Sequence, residues 1–249
     1  MSGHSKWSSI KHQKGAADAK RGQLFTKLTR EIIVAVRNGG SKPESNFRLR
    51  LSIQKARDNN MPLDNIEKAI KRGSGTIEGV NLVEMVLEGY GPGGTAILVE
   101  ALTDNRNRTL PDVRNIFSRN GGSLGESGCV AWLFDSKGSI LVETNNLDTE
   151  ELALQAIDAG AEDVSIGKDI MEIYTKPEEM EAVRTALEQG NTTITSAEVG
   201  LVPKTMVELE EKAALQTLKL LHKLEELDET QSVCTNVNFS DAVLAKFQG

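Results

Sequence analysis

Two glycine-rich motifs and one basic cluster are the places where this sequence could do chemistry. The segment GYGPGG at 89–94 fits G-x-G-x-x-G, which holds the pyrophosphate of a dinucleotide when it joins a strand to a helix. Here an apolar stretch typical of a second strand follows the motif, and Pro92 lies inside it. We therefore interpret the motif as a hairpin turn.

The segment GGSLG at 121–125 matches G-x-S-x-G, the nucleophile elbow of serine hydrolases. An elbow joins a strand to a helix, whereas this segment is predicted to join a helix to a strand. The only downstream histidine is His222, inside an apolar helical stretch. Ser123 is therefore predicted to be a turn residue, and we expect the protein not to be an enzyme.

The histidines and cysteines do not form a ligand set with the spacing of a metal site. His4 and His12 lie near the N-terminus without a third ligand, and Cys129 and Cys234 are far apart. We therefore expect no metal, no cofactor and no disulfide, which fits a reducing cytoplasm. No apolar run approaches the length of a membrane span, so we expect no membrane partner.

The segment TDNRNRT at 103–109 places two arginines where a strand is predicted to meet a helix. Arg106 and Arg108, with the helix N-terminus, could hold an anion. Alternatively, the Asp and Asn side chains of this segment only cap backbone amides. The residues alone leave both interpretations open.

Charge is distributed very unevenly along the chain. The whole sequence has a net charge of −7, yet residues 1–72 contain 16 basic and 6 acidic side chains, whereas 73–249 contain 13 and 30. A block this basic favours binding to a polyanion, although it could also be a solvated face or dock onto the chain's own acidic part. The acidic part could in turn bind a protein partner.

The N-terminal segment 1–16 contains three lysines and no acidic residue, and we predict it to be a flexible arm. In it Trp7 could stack on an unpaired base or pack on the protein itself. Together with the helices that follow, the arm supplies the candidate nucleic-acid-binding residues. These are Lys6, Trp7, Lys11, His12, Lys14, Lys20, Arg21, Lys27, Arg30, Arg48, Arg50, Lys68, Lys71 and Arg72.

Periodicity predicts a basic three-helix bundle at 17–75, with helices at 17–37, 44–59 and 63–72. Strands and helices then alternate, which predicts an α+β protein. Residues 137–203 read as β-α-β-β-α-β, the ferredoxin-like order. We predict a discontinuous α/β domain formed by 80–136 and 204–240, with 137–203 inserted. Three consecutive units would leave the middle sheet half uncovered, which burial disfavours.

Several unusual stretches occur in an order that resembles one family end to end. They are GHSKWSSIKHQKGAADAKRGQLFTKLTREI, NNMPLDNIEKAIKRG, EGYGPGG, TDNRNRT and GCVAWLF. Together they closely resemble the YebC/PmpR family, which also includes the mitochondrial translational activator of cytochrome c oxidase. The resemblance implies a helical N-terminal domain and two α/β domains. It also implies a cytoplasmic regulator that acts either on DNA in transcription or at the ribosome in translation.

Two nucleic-acid hypotheses therefore follow. In the first, a helix of the bundle enters a DNA major groove while the arm enters the adjacent minor groove. In the second, the arm and the bundle bind ribosomal RNA, with Trp7 stacked on an unpaired base.

Overall fold

The computed structural model describes residues 18–79, 81–144, 147–167, 169–190 and 192–247, with the backbone alone for 18–20. The predicted arm at 1–16 lies outside the described residues. The chain forms two compact units, each considered by itself below. The first contains 18–129 and 216–233, and the second contains 130–215 and 234–247.

Three helices open the first unit: α1 (Asp18–Gly39), α2 (Phe47–Asp58) and α3 (Leu63–Gly73). The apolar stripe that predicts α1 is the face that packs inward, because Leu28, Ile32 and Val36 are each at most 4% exposed. Leu49 of α2 and Ile66 of α3 complete the same core. The basic side chains are thereby left for the outer faces of the helices.

Asn46 fixes the turn between α1 and α2. Its side-chain oxygen accepts a hydrogen bond from the backbone N–H of Leu49 at 3.0 Å, which caps α2. Its amide nitrogen donates to the carbonyl oxygens of Ala35 and Gly40, both at 2.7 Å, which satisfies the end of α1. One side chain, 5% exposed, thus joins two helix ends.

A four-stranded antiparallel sheet follows in the first unit, in the order β3-β1-β2-β8. Its two central strands form a hairpin in which Val83 faces Thr103 and Tyr90 faces Ala96. The turn of this hairpin is the GYGPGG segment, as the sequence predicts. The strands are β1 (Val83–Tyr90), β2 (Ala96–Thr103), β3 (Ser123–Leu124) and β8 (Thr230–Thr235). The helices beside them are α4 (Arg106–Arg119) and α7 (Glu211–Glu225).

The second unit contains another four-stranded antiparallel sheet, in the ferredoxin-like order β5-β6-β4-β7. Helix α6 buries Met180, Val183 and Leu187. The strands are β4 (Phe134–Glu143), β5 (Asp163–Ile166), β6 (Ile170–Thr175) and β7 (Ile194–Pro203). The helices are α5 (Thr149–Asp158), α6 (Met180–Gln189) and α8 (Asp241–Lys246). The predicted α+β fold class is confirmed.

The strand boundary predicted near residue 136 differs from the one in the structure. The sequence predicts separate strands at 128–135 and 138–144, but the structure has the single strand β4. Residues Ala131–Leu133 form a short 3-10 turn instead. Gly138 suggests a break, yet a Cβ there would lie 2.8 Å from Cβ of Met180. This glycine therefore permits close packing of α6 on the strand.

The predicted domain boundary between 136 and 137 falls inside β4, so the second sheet begins earlier than the sequence suggests. Strand β8 lies next to β2 although the whole second sheet intervenes in the chain. The nested division into domains remains a prediction. In the described ranges, no helix is both long and apolar enough to cross a bilayer.

Removing the Asn46 side chain should destabilise the protein. Asn46→Ala leaves the N–H of Leu49 and two helix-end carbonyls without their partner, so we expect a loss of about 1–3 kcal/mol in the free energy of unfolding. Urea denaturation followed by circular dichroism measures this loss. Asn59→Ala is the matched control, because Asn59 bonds only to the carbonyl of Lys55 at the surface. We expect that change to stay within about 0.5 kcal/mol, and equal losses would contradict the role of Asn46.

Candidate nucleic-acid interface

Helix α3 carries a row of three exposed cations. Ile66 and Ala69 are buried against the other helices, which directs Lys68, Lys71 and Arg72 outward. Side chains three and four positions apart are neighbours on a helix surface. Within the described part of the chain, none of the three has an ion pair with a carboxylate. This α3 cation row is therefore a compact positive surface.

The α3 cation row sits on a rigid support. A Cβ at Gly73, at the end of α3, would lie 2.7 Å from Cβ of Val36 and 2.8 Å from the carbonyl oxygen of Ile33. Only glycine permits this approach, so the last turn of α3 packs directly on α1. The positions of Lys71 and Arg72 are thereby fixed relative to α1.

Helix α2 presents further cations at its surface. Arg50 is exposed, donates to the carbonyl of Pro43 at 2.9 Å, and lies 5.5 Å above the ring of Phe47. These contacts hold the side chain without neutralising its charge. Arg57 is also exposed on α2 and is not among the predicted ligands.

Arg48, a predicted nucleic-acid ligand, contacts two carboxylates of the protein. Its Nε lies 2.7 Å from a carboxylate oxygen of Glu31 in α1, and its Nη1 lies 3.1 Å from Glu84 in β1. Asn38 donates to the same Glu84 carboxylate at 2.8 Å. The charge of Arg48 is balanced by two carboxylates of the protein, and Arg48 joins the helices to the first sheet. Its role as a nucleic-acid ligand stays a prediction.

The titration of this network follows from its contacts. Burial opposes the charged form of Arg48, but hydrogen bonds to Glu31 and Glu84 outweigh burial and raise the pKa of the guanidinium above its usual value. The hydrogen bond from Arg48 lowers the pKa of Glu84, against a smaller opposing effect of burial. Both groups are therefore charged at neutral pH.

The α1 cations occupy three different environments. Arg21 is exposed, as predicted for a ligand of nucleic acid. Lys27 donates to the backbone carbonyl of Glu225 at 2.6 Å and is only half-exposed, so part of its function is to hold α1 at the end of α7. Arg30 lines a cleft between α1 and α3, and its Nη1 is buried without a hydrogen-bond partner among the described residues.

The cleft has a volume of about 330 Å³ and is lined by both polar and apolar side chains. Arg72 and Asn65 line it from α3, so the α3 cation row extends to the edge of the cleft. The complete lining is Phe25, Thr26, Thr29, Arg30, Ile33, Met61, Asn65, Arg72, Leu82 and Asp104.

The two arginines of the predicted anion site differ. Arg108 lies 2.9 Å from Asp104 and 2.8 Å from Glu229, and its hydrogen bond to Glu229 raises its pKa. The charge of Arg108 is thus balanced locally by two carboxylates, and its part in an anion site stays a prediction. Arg106 is exposed. Helix α4 begins at Arg106 because Asn105 caps it, earlier than the predicted capping box at Thr109.

The remaining predicted ligands lie outside the described residues. They are Lys6, Trp7, Lys11, His12 and Lys14, together with the side chain of Lys20.

Comparison with known proteins identifies the family. One family model, the N-terminal domain of TACO1/YebC proteins, matches residues 5–76, and a second, their second and third domains, matches 82–237. The chain belongs to the TACO1/YebC family. The predicted resemblance is confirmed.

Curated relatives match this TACO1/YebC chain along its whole length. A probable transcriptional regulatory protein of Dehalococcoides mccartyi is 62% identical over 99% of this chain and 98% of that protein. One of the same description from Desulfosudis oleivorans is 53% identical over 98% and 99%. The crystal structure of a conserved hypothetical protein from Aquifex aeolicus is similar with a TM-score of 0.83 and 48% identity, covering 93% of this chain and 96% of that one.

Replacing Arg48 should destabilise the protein in a pH-dependent manner. Arg48→Met removes the cationic partner of Glu31 and Glu84, and because these ion pairs are partly exposed we expect a loss of about 1 kcal/mol at pH 7. Because the folded-state pKa of Glu84 is lowered, its pairing stabilises the fold above the unfolded value of 4.5. That contribution disappears as the pH falls below 4.5 through the folded-state value. The loss caused by the substitution should therefore shrink in acid.

Urea denaturation of both proteins at pH 7 and pH 3.5 tests this expectation. Arg50→Met is the matched control, since it removes another α2 arginine that has no carboxylate partner among the described residues. It should change stability little at either pH. A pH-independent loss for Arg48→Met would show that packing, and not ion pairing, is the main contribution of this side chain.

Proposed function

We propose that this protein is a non-enzymatic regulator of gene expression that binds nucleic acid through the basic surface of its helical domain. The α3 cation row carries the proposal. Arg48 and Arg108 contact carboxylates, whereas Lys68, Lys71 and Arg72 have no such ion pair among the described residues. Exposed cations without carboxylate partners are the groups that can replace the counterions of a phosphate backbone.

DNA is the first candidate target. Relatives that are similar over nearly the whole chain are named probable transcriptional regulatory proteins, which supports this choice. Helix α3 is short, its three cations are exposed, and Asn65 is half-buried at the cleft beside them. An asparagine can read an adenine edge, whereas lysines mainly contact phosphates.

Ribosomal RNA is the second candidate target. The matching family descriptions name TACO1 beside YebC, and the sequence resemblance links that group to translation. The basic arm with Trp7 favours this alternative, because an aromatic side chain on a cationic segment suits stacking on an unpaired base. The acidic second unit is available for a protein partner in either case.

Neutralising the α3 cation row should weaken binding and its salt dependence. Each phosphate contact contributes about 0.9 to the log–log salt slope on duplex DNA and about 0.7 on single strands. We expect Lys68→Ala/Lys71→Ala to reduce the slope by about 1.5–2 and to lower affinity at least tenfold at moderate salt. Fluorescence anisotropy with a labelled duplex and a labelled RNA hairpin measures both quantities.

The matched control removes two lysines elsewhere in the chain. Lys204 and Lys246 pair with Asp135 and Glu211 at 3.2 and 2.8 Å, so Lys204→Ala/Lys246→Ala changes the net charge equally. That control should leave the salt slope nearly unchanged. If the two double variants change the affinity and the salt slope equally, binding depends only on the net charge of the protein, and the proposal of a defined α3 surface is contradicted.

The arm is tested separately with Lys6→Ala/Lys11→Ala/Lys14→Ala. If RNA is the target, this variant should lose more affinity for the RNA hairpin than for the duplex, and Trp7→Ala should reproduce part of the loss. If DNA is the target, the duplex should show the larger loss. Unchanged affinity for both probes would show that the arm is not part of the interface.

A further inference from the structure

The cleft between α1 and α3 contains a cation with an unsatisfied hydrogen-bonding group. Arg30 is half-buried, and its Nη1 has no hydrogen-bond partner among the described residues. Buried polar groups are nearly always paired in native proteins, so an exception calls for a partner or a role, such as a water, an ion or a functional contact. Within the described residues, Arg30 is the one charged side chain with a buried atom of this kind.

A second cation and an amide lie on the other side of the cleft. Arg72 and Asn65 both line it from α3. Arg72 has no ion pair with a carboxylate among the described residues. Asp104 also lines the cleft, but its carboxylate accepts a hydrogen bond from Arg108 at 2.9 Å. Two guanidinium groups thus line the same cleft. The one acidic residue of the lining, Asp104, already accepts a hydrogen bond from Arg108.

The rest of the lining suits a flat, partly apolar group. Phe25 and Ile33 lie beside Arg30 on α1, and Met61 and Leu82 add further apolar surface. The volume of about 330 Å³ is at the small end of ligand pockets. The space can accept one nucleotide but not a base pair or a duplex.

We propose that this cleft holds a single nucleotide that is unstacked from the bound nucleic acid. Its phosphate contacts Arg30 and Arg72, and its base packs against Phe25. Guanidinium groups recognise phosphates through paired hydrogen bonds, and aromatic rings stack on bases of any sequence. The proposal rests on the proposed nucleic-acid binding. It adds that the protein selects strands containing an unpaired nucleotide.

Arg72 connects the cleft with the α3 cation row. It follows Lys68 and Lys71 on the same helix surface and also lines the cleft. A strand whose phosphates follow the row therefore reaches the cleft without a gap in positive charge. This continuity favours a nucleotide within a strand over a free nucleotide, which shares the same phosphate chemistry.

Arg30→Met in the full-length protein tests the proposal. Methionine keeps an apolar stem but removes the guanidinium. We expect at least a tenfold loss of affinity for a labelled twelve-nucleotide single strand, and no more than a threefold loss for a fully paired duplex. The urea midpoint should be unchanged or higher, since a buried unpaired donor is removed. Arg57→Met is the matched control, because Arg57 is an exposed arginine of the same bundle.

Asn65→Ala provides a second variant on the opposite wall, with an expected three- to tenfold loss on the single strand alone. Competition with adenosine monophosphate distinguishes the source of the nucleotide. Weak competition, with half-displacement only in the millimolar range, supports a nucleotide within a strand. Displacement at micromolar concentration would overturn the assignment to a strand in favour of a free nucleotide.

Other outcomes separate the cleft from the binding function. If Lys68→Ala/Lys71→Ala weakens binding while Arg30→Met behaves like Arg57→Met on both probes, the cleft proposal fails and the proposed function stands. If neither probe binds the unmodified protein in a salt-dependent manner, the proposed function itself fails.

Discussion

The ion-pair network of Arg48 is the constraint on which the arrangement of the first unit depends. A single guanidinium from α2 contacts Glu31 on α1 and Glu84 on β1, and so joins two helices and a strand. Removing Arg48 would take the cationic partner from both carboxylates, although Asn38 would still donate to Glu84. The network fixes the helices relative to the sheet. This matters for the cleft, because Leu82 and Asp104, at the ends of the sheet strands, are part of its lining.

Contacts within the protein divide the cations of the helical domain into two groups. Arg48 is neutralised within the protein, and Lys27 donates to the carbonyl of Glu225, so both contribute to folding. Lys68, Lys71 and Arg72 have no ion pair among the described residues and remain available for an anionic partner. The surplus of basic residues in the sequence favours a polyanion partner, and the ion pairs of the structure separate the cations that contact carboxylates from those that do not.

Local patterns predict most of the helical domain, and tertiary contacts explain where prediction fails. The apolar stripe of α1 and the glycines at 39–40 locate that helix within two residues at either end, because periodicity and capping are local. Gly138 packs closely against Met180, which is distant in the sequence, so local patterns do not show that one strand continues through this glycine. Local patterns likewise do not show the contact between Arg48 and Glu84, which are 36 positions apart. The short helix α8 follows the local cap Ser240, a signal that sequence reasoning missed.

The composition of the exposed surface bears on how the protein could be selective. Lysines neutralise phosphates of any sequence, so in the proposed binding mode the α3 cation row would contribute affinity and orientation without reading bases. Selectivity therefore requires a feature that distinguishes one strand conformation or sequence from another. In the first unit, the cleft beside Arg30 offers this feature, because its size admits one nucleotide and excludes a base pair. A protein built in this way would discriminate by strand geometry first and by base identity second, which suits structured or locally opened nucleic acid better than a uniform duplex.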